Sequence, residues 1–407
     1  MLTGLFFYCH GQSTLSSGVI LASARQDMTL DLQSQRLKYI EDNNRKLPFV
    51  EEISIRTETD RFNIDRQQYL ARFSVNGWSE MHHVNEVHAM ELTAEEKMQR
   101  VYLHEALVDR YQAVASFQQV QRELNLQKEL LLVYEDKVSV LKKQAAYNVK
   151  SDLDELIKTE FDVDEQALKI NEFEDQLDQL RQLIGMLADT ATGDWQLDTL
   201  NFITPAQMEL VIAQVPDTVI QNPTLEQKQN KIEQIGAEYD LEKTQSNKVL
   251  DFLQFRYAGR PNDPFDQDFS VGVSLLIPYK GSSRVKMGEL LIEKNNADQN
   301  VQLYQHTLNR QLILSRQKVK TLAQRYRLAE QQWKDSQARF TLEQSAISQS
   351  EGPLTLLNAK EMQLKRQLGL LDIQRDMLEQ YLKILDWSGY ISAAPPVNYL
   401  SSNLDTF

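Results

Sequence analysis

The chain has 407 residues, 58 acidic against 44 basic side chains and a formal net charge of −14, a balance that disfavours nucleic acid as a partner because phosphate binding needs clustered Lys and Arg. Mean hydropathy is −0.47, and no apolar run reaches the length of about eighteen residues that would mark a membrane-spanning helix. A β-barrel escapes that exclusion, since its lipid-facing and lumen-facing residues alternate along each strand. Glycine (14) and proline (10) are scarce, which points to long elements and few turns.

In chain order, Leu2 to Tyr8 form a short apolar run, followed by Cys9-His10-Gly11 with small residues at the first and third positions. This resembles a signal-peptidase site, and residues 1–11 are expected to be a signal peptide, although a basic n-region is missing. Cys9 is the single cysteine and would leave with that segment, so no disulfide or thiolate metal site is expected. Strands are predicted at about 50–59 and 67–76. Ile53, Ile55, Thr57 and Thr59 share one face and Ser54, Arg56 and Glu58 the other; Tyr69, Ala71, Phe73 and Val75 oppose Arg72, Ser74 and Asn76. Period-two alternation of this kind marks strands with one apolar and one polar face.

A helical hairpin is predicted over about 79–189. Phe117, Leu124, Leu131, Val138 and Ala145 step by seven, with Val120, Tyr134 and Leu141 three positions after members of that series. A strict seven-residue period implies left-handed supercoiling against a neighbour. The register breaks near Asn148–Asp152, where Ser151 or Asp152 can cap a following helix, and resumes with Leu156, Val163, Ile170, Leu177 and Ile184. The outgoing arm alone would be on the order of 100 Å long.

The second half repeats the pattern. Leu253, Phe255 and Tyr257 oppose Gln254 and Arg256, and Phe269, Val271, Val273, Leu275 and Ile277 oppose Ser270, Gly272 and Ser274, giving strands at about 249–257 and 268–277. A hairpin at about 284–386 follows, with Leu312, Val319, Tyr326, Trp333 and Phe340 on one arm and Leu357, Leu364, Leu371, Leu378 and Leu385 on the other. The Gly352-Pro353 pair breaks the two arms. Aromatic Tyr326, Trp333 and Phe340 are expected to be packing knobs. The fold class is therefore mainly α with β: two structural repeats, 12–221 and 222–386, each a strand pair followed by a long antiparallel helical hairpin, with a tail at 387–407.

Four strands cannot close a barrel, and an open edge in lipid leaves backbone groups unpaired. A membrane reading thus demands several copies, and three would supply twelve strands. A soluble four-stranded sheet packed on helices would show the same alternation. Catalytic signals are lacking: no Ser-His-Asp order, phosphate loop or Cys/His cluster occurs. His82, His83 and His88 read as surface or rim residues rather than metal ligands. No enzyme activity, cofactor or metal is expected.

Phe269-Ser270-Val271-Gly272-Val273-Ser274-Leu275-Leu276-Ile277-Pro278-Tyr279-Lys280-Gly281 looks like the last barrel strand, closing proline turn and glycine of the TolC family of trimeric outer-membrane ducts. Leu47-Pro48 and Asn222-Pro223 resemble that family's openings of the first strand and second repeat. Ala146-Tyr147-Asn148-Val149 and Arg339-Phe340-Thr341-Leu342 look like the approaches to its two hairpin tips. Ser151-Asp152-Leu153 and Leu354-Thr355-Leu356-Leu357-Asn358-Ala359 resemble the segments that leave them. The chain resembles the family over almost its full length.

That resemblance implies a homotrimer with a twelve-stranded barrel in outer-membrane lipid of a Gram-negative bacterium, and a helical tunnel in the periplasm. Residues 189–223 and the tail would form equatorial parts. Implied partners are a periplasmic adaptor and an inner-membrane transporter of the RND or ABC type. Candidates for aperture or adaptor contact are Tyr147, Asn148, Val149, Ser151, Asp152, Leu153, Asp154, Glu155, Phe340, Leu342, Thr355 and Asn358. The family often gates its aperture with carboxylates on the second hairpin. The matching Thr355 and Asn358 are neutral here, and Asp152, Asp154 and Glu155 could replace that acidic ring. Acids at a helix start are also favoured simply by the helix dipole. The chain would passively conduct small molecules or polypeptides from an inner-membrane pump. The alternative is a periplasmic coiled-coil adaptor or scaffold.

Overall fold

The computed structural model describes residues 13–43, 47–59, 67–146, 153–189, 195–197, 201–219, 221–258, 269–275, 281–348 and 352–407. The expected signal peptide and the tip residues 147–152 lie outside them. In chain order the elements are β1 (Ser13–Leu15), α1 (Ser17–Ala22), α2 (Met28–Asp42), β2 (Val50–Thr59), β3 (Gln67–Val75), α3 (Trp78–Ala146) and α4 (Leu153–Leu187). Then come β4 (Trp195–Leu197), α5 (Pro205–Gln214), α6 (Pro223–Ser246), β5 (Leu250–Ala258) and β6 (Phe269–Leu275). The last helices are α7 (Gly281–Lys334), α8 (Gln337–Ser348) and α9 (Pro353–Ser388). At 69 residues α3 far exceeds the usual helix of about 11–12. Among the described residues, no helix is long and apolar enough to cross a membrane.

The backbone forms two compact units. One comprises residues 31–101 and 223–306. It holds a four-stranded antiparallel sheet in the order β2-β3-β5-β6, so β3 pairs with β5 and joins the two hairpins into one surface. The register shifts near one end of each hairpin, between Val50 and Glu52 on the outer strand β2 and between Leu250 and Phe252 on the inner strand β5. In the same unit α2 ties to α3, where Arg36 pairs with Glu95 at 2.8 Å and Gln99 donates to Ser34 at 3.0 Å. Likewise α6 packs on α7, with Lys286 and Glu242 at 2.7 Å and the Lys228 ammonium 5.3 Å from the Tyr304 ring centre.

The other unit comprises residues 1–30, 102–222 and 307–407. Its centre is the continuation of α3, flanked by α4 and α9. Leu130, Val133, Tyr134 and Leu364 form a buried cluster, against which Val163 of α4 and Leu357 and Leu368 of α9 pack. Heptad members Ile170, Leu177 and Ile184 are buried on α4, as are Leu364, Leu378 and Leu385 on α9. The second arm departs from expectation. Its heptad series runs through Trp333 to Phe340, yet α7 stops at Lys334 and a new helix starts at Gln337. The Ser336 hydroxyl accepts from the Arg339 amide at 3.3 Å, in the manner of a helix N-cap. Beyond that break Phe340 is 51 % exposed, so it is not a packing knob within the chain.

A small collar packs on α3, on α9 and on the end of α4. Its parts are α1, the parallel β1–β4 pair, α5 and the C-terminal tail. Phe117 meets the Trp195 ring at 5.5 Å. The Tyr111 hydroxyl donates to the Val397 carbonyl at 2.5 Å and accepts from the Tyr399 amide at 3.3 Å. Tyr381 donates to the Tyr399 carbonyl at 3.0 Å. Burial pushes both hydroxyls well above the ordinary tyrosine range, so they stay protonated donors. Thr204 caps α5 through a reciprocal pair with Gln207, ahead of Pro205 at the first helical position.

Candidate functional site: a two-faced sheet and the helix tips

Cross-strand register turns the alternation of four separate segments into continuous rows. Ile53–Phe73–Leu253–Val273, Ile55–Ala71–Phe255–Val271 and Thr57–Tyr69–Tyr257–Phe269 each cross all four strands. The Phe73 and Phe255 rings meet edge-on at 5.7 Å, an arrangement that suits neighbouring aromatic side chains. Although apolar, this face is uncovered: Ile55 is 75 % exposed and Val271 and Val273 are 58 % exposed. A soluble sheet packed on its own helices would bury such rows. The intervening rows are largely polar, among them Ser54–Arg72–Gln254–Gly272 and Arg56–Leu70–Arg256–Ser270. Leu70 and Phe252 are exceptions on this face, and Phe252 serves as a platform for the Arg72 guanidinium, 3.9 Å from its ring centre. Among the described residues, the edge strands β2 and β6 each have one partner strand.

Where the strands hand over to helices, polar groups converge. The Asn76 side chain donates to the Pro48 carbonyl at 2.8 Å and its amide to the Phe49 carbonyl at 2.9 Å, which pins the ends of the first strand pair together. Glu80, buried in the first turn of α3, lies 3.6 Å from Lys248 and accepts from Gln245 at 3.3 Å. An acid there also complements the helix dipole. His83 pairs with Glu86 at 3.0 Å and stacks edge-on with His82, while His88 lies 3.8 Å from Glu91. Among the described residues, no group of three or more His, Cys, Asp or Glu is placed to hold a metal ion.

At the other candidate region, Tyr147, Asn148, Val149, Ser151 and Asp152 lie outside the described residues. Leu153 opens α4 and is 60 % exposed, with Asp154 and Glu155 in the first turn. Phe340 and Leu342 fall on α8, which packs on α9, whose first two turns carry exposed Thr355 and Asn358. The fourth turn of α4 and the start of α9 are linked through α3, since Val163 and Leu357 pack on the same buried cluster. The nearest charged lock is on the α3–α9 seam, where Glu361 takes Lys137 and, at 2.7 Å, Lys365. Burial raises the Glu361 carboxyl, but hydrogen bonds from both lysines outweigh it and hold the group below the usual range. Sequence reasoning missed this network; acids and bases at flanking heptad positions were its only signal. Farther along, α3, α4 and α9 border a groove of about 830 Å³, in which Arg375 stands 3.6 Å from Glu123.

No family model and no curated protein sequence matches the chain. Solved structures do. The outer membrane protein VceC of Vibrio cholerae aligns with a TM-score of 0.67 at 12 % identity, over 92 % of this chain and 96 % of its own. The MtrE outer membrane channel of Neisseria gonorrhoeae, in its open state, gives 0.64 at 11 % identity over 96 % and 91 %. The CmeC outer membrane channel of Campylobacter jejuni gives 0.61 at 12 % over 95 % and 90 %. The chain therefore has the fold of the TolC-type outer-membrane channels.

Proposed function

We propose that the protein is an outer-membrane exit duct that works as a homotrimer. Three copies of the four-stranded sheet would close a twelve-stranded barrel whose apolar rows face lipid. The single observation that carries this reading is the bare, continuous apolar face of an open sheet. Unpaired strand edges and exposed apolar rows have no stable place in water, but closure in a bilayer satisfies both. The long heptad helices would form the periplasmic tunnel, and residues 1–11 would direct export. The chain would divide into repeats at 12–221 and 222–386, with the tail at 387–407 in the equatorial part.

In this reading the protein holds no active site. A periplasmic adaptor would bind near Tyr147–Glu155 and Phe340–Asn358, and an inner-membrane pump would supply the energy. Packed helices switch between discrete arrangements, so aperture opening would be a two-state shift biased by adaptor contact at these tips. The outer-membrane fraction should yield detergent-dependent trimers that fall to single chains only on heating. A monomer that stays soluble without detergent would overturn the reading.

A further inference from the structure

The sheet register also assembles a charge pattern that conduction alone does not require. Arg56, Arg72 and Arg256, one each from β2, β3 and β5, fall in the two adjacent middle rows of the polar face. Neither row contains an acidic residue; Glu52 and Glu58 stand in the rows on either side. All three arginines are exposed. Arg56 reaches Glu58 at 3.0 Å, whereas among the described residues Arg256 donates to the Gln68 amide and Arg72 lies over the Phe252 ring. Two of the three guanidinium groups thus have neutral company.

Their neighbours in the two rows include Ser54, Ser270 and Gly272, which leave space around the charges. Strands lie about 4.8 Å apart. Arg56 and Arg256, with one strand between them, are therefore separated by about 10 Å, roughly one Debye length at 0.1 M salt, and Arg72 sits on the strand between. Their fields add. A guanidinium fork also matches carboxylate and phosphate oxygens in a way a point charge does not.

We propose that these arginines form an anion-binding band in the lumen, and that the duct favours solutes bearing carboxylate or phosphate groups. The inference rests on the exit-duct reading, because closure of the barrel is what turns the polar faces of all copies toward one lumen. Three copies bring nine guanidinium groups to the band, three from each chain. Rings of Arg or Lys are the device by which pores select anions. The chain's net charge of −14 does not oppose this, since none of its acids stands in the two rows.

The test is ion conduction by the purified trimer in planar bilayers under a KCl gradient, with inorganic pyrophosphate as the blocking probe. The combined R56Q/R72Q/R256Q variant should shift the reversal potential toward cation preference and lose the pyrophosphate block. The combined R56K/R72K/R256K variant should keep the wild-type sign of selectivity. Each single Gln variant, at an exposed site, should shift in the same direction by less, which preserves the test should the triple variant not assemble. Unchanged selectivity and block in the Gln variants would overturn the band while leaving the duct intact. Should the aperture stay shut without an adaptor, loss of pyrophosphate binding to the detergent-solubilised trimer by the Gln variants reads the same band, and equal binding overturns it. A wild-type chain that forms no trimer would overturn the duct reading, and the band with it.

Discussion

The Arg110 guanidinium, 1 % exposed, donates to the Leu187 carbonyl at 2.5 Å and so closes the last turn of α4 from the middle of α3. The same fork reaches Ser23 at 3.0 Å and Asp27 at 3.1 Å. The carbonyls of a helix's last turn have no partner within the helix, and this arginine supplies one for α4. Removing it leaves Asp27 and the α4 terminus without their cation. R110A should cost about 3–5 kcal/mol, and R110K should recover only part of it because an ammonium cannot span three partners. Thermal unfolding of the purified protein checks this; a midpoint equal to wild type in R110A would refute it.

Gly389 ends α9 with φ of +79°, and a Cβ there would collide with the Gln221 carbonyl. Nearby, the Asn222 amide caps the Trp387 carbonyl at 3.2 Å. G389A should therefore be destabilised by at least about 1–3 kcal/mol from backbone strain alone. The readout is a lower unfolding midpoint together with faster proteolysis of the 390–407 tail. Equal protease resistance would show that the tail's anchorage does not depend on this turn.

The Glu361 lock sets an acid limit. Its carboxyl is held below the ordinary 4.5 by Lys137 and Lys365 against the opposing effect of burial. A depressed carboxyl contributes stability that is full above the unfolded value and lost as pH falls through the folded one. Wild type should thus lose stability as pH drops below about 4.5. E361Q should start less stable near neutrality and fall less on acidification. Unfolding midpoints across that range decide the matter, and parallel curves for the two proteins would contradict it.

The two faces of the sheet make opposite demands on charge. I55K and V271K place an ammonium in the apolar rows, where a lipid-facing charge near the bilayer midplane costs about 2–4 kcal/mol. S54K and Q254K place the same group in a polar row. The first pair should fail to accumulate in the outer membrane and the second should accumulate normally. Equal recovery of all four variants would count against a lipid-facing row.

Much of this sheet was legible in the sequence because period-two alternation needs only a short window. Odd positions of β2 and β3 share one face in both the reading and the structure. Pairing of β3 with β5, such as Phe73 with Leu253, was not legible, since no local signal relates the registers of segments so far apart. For the same reason Arg56, Arg72 and Arg256 read as separate polar-face residues until register placed them in adjacent rows. The break after Lys334 escaped notice because it holds neither Gly nor Pro and the heptad series continues across it; Asp335-Ser336 was the available cap signal. Nothing in the heptad pattern sets Arg110 apart. Its burial depends on collar segments whose packing no helical period encodes.

Edge-to-edge closure of three sheets is the central claim, and engineered disulfides test it most directly. Cys at Ser54 on β2, combined in turn with Cys at Ser270, Gly272 or Ser274 on β6, samples the registers by which one copy can meet the next. Within one chain β2 and β6 are opposite edges separated by β3 and β5, hence about 14 Å apart, beyond the Cα separation of roughly 7 Å that a disulfide tolerates. Oxidised membranes should give, for at least one pair, a covalent ladder of one, two and three chains that stops there. Chains that remain single in every pair, or a ladder that runs past three, would contradict it.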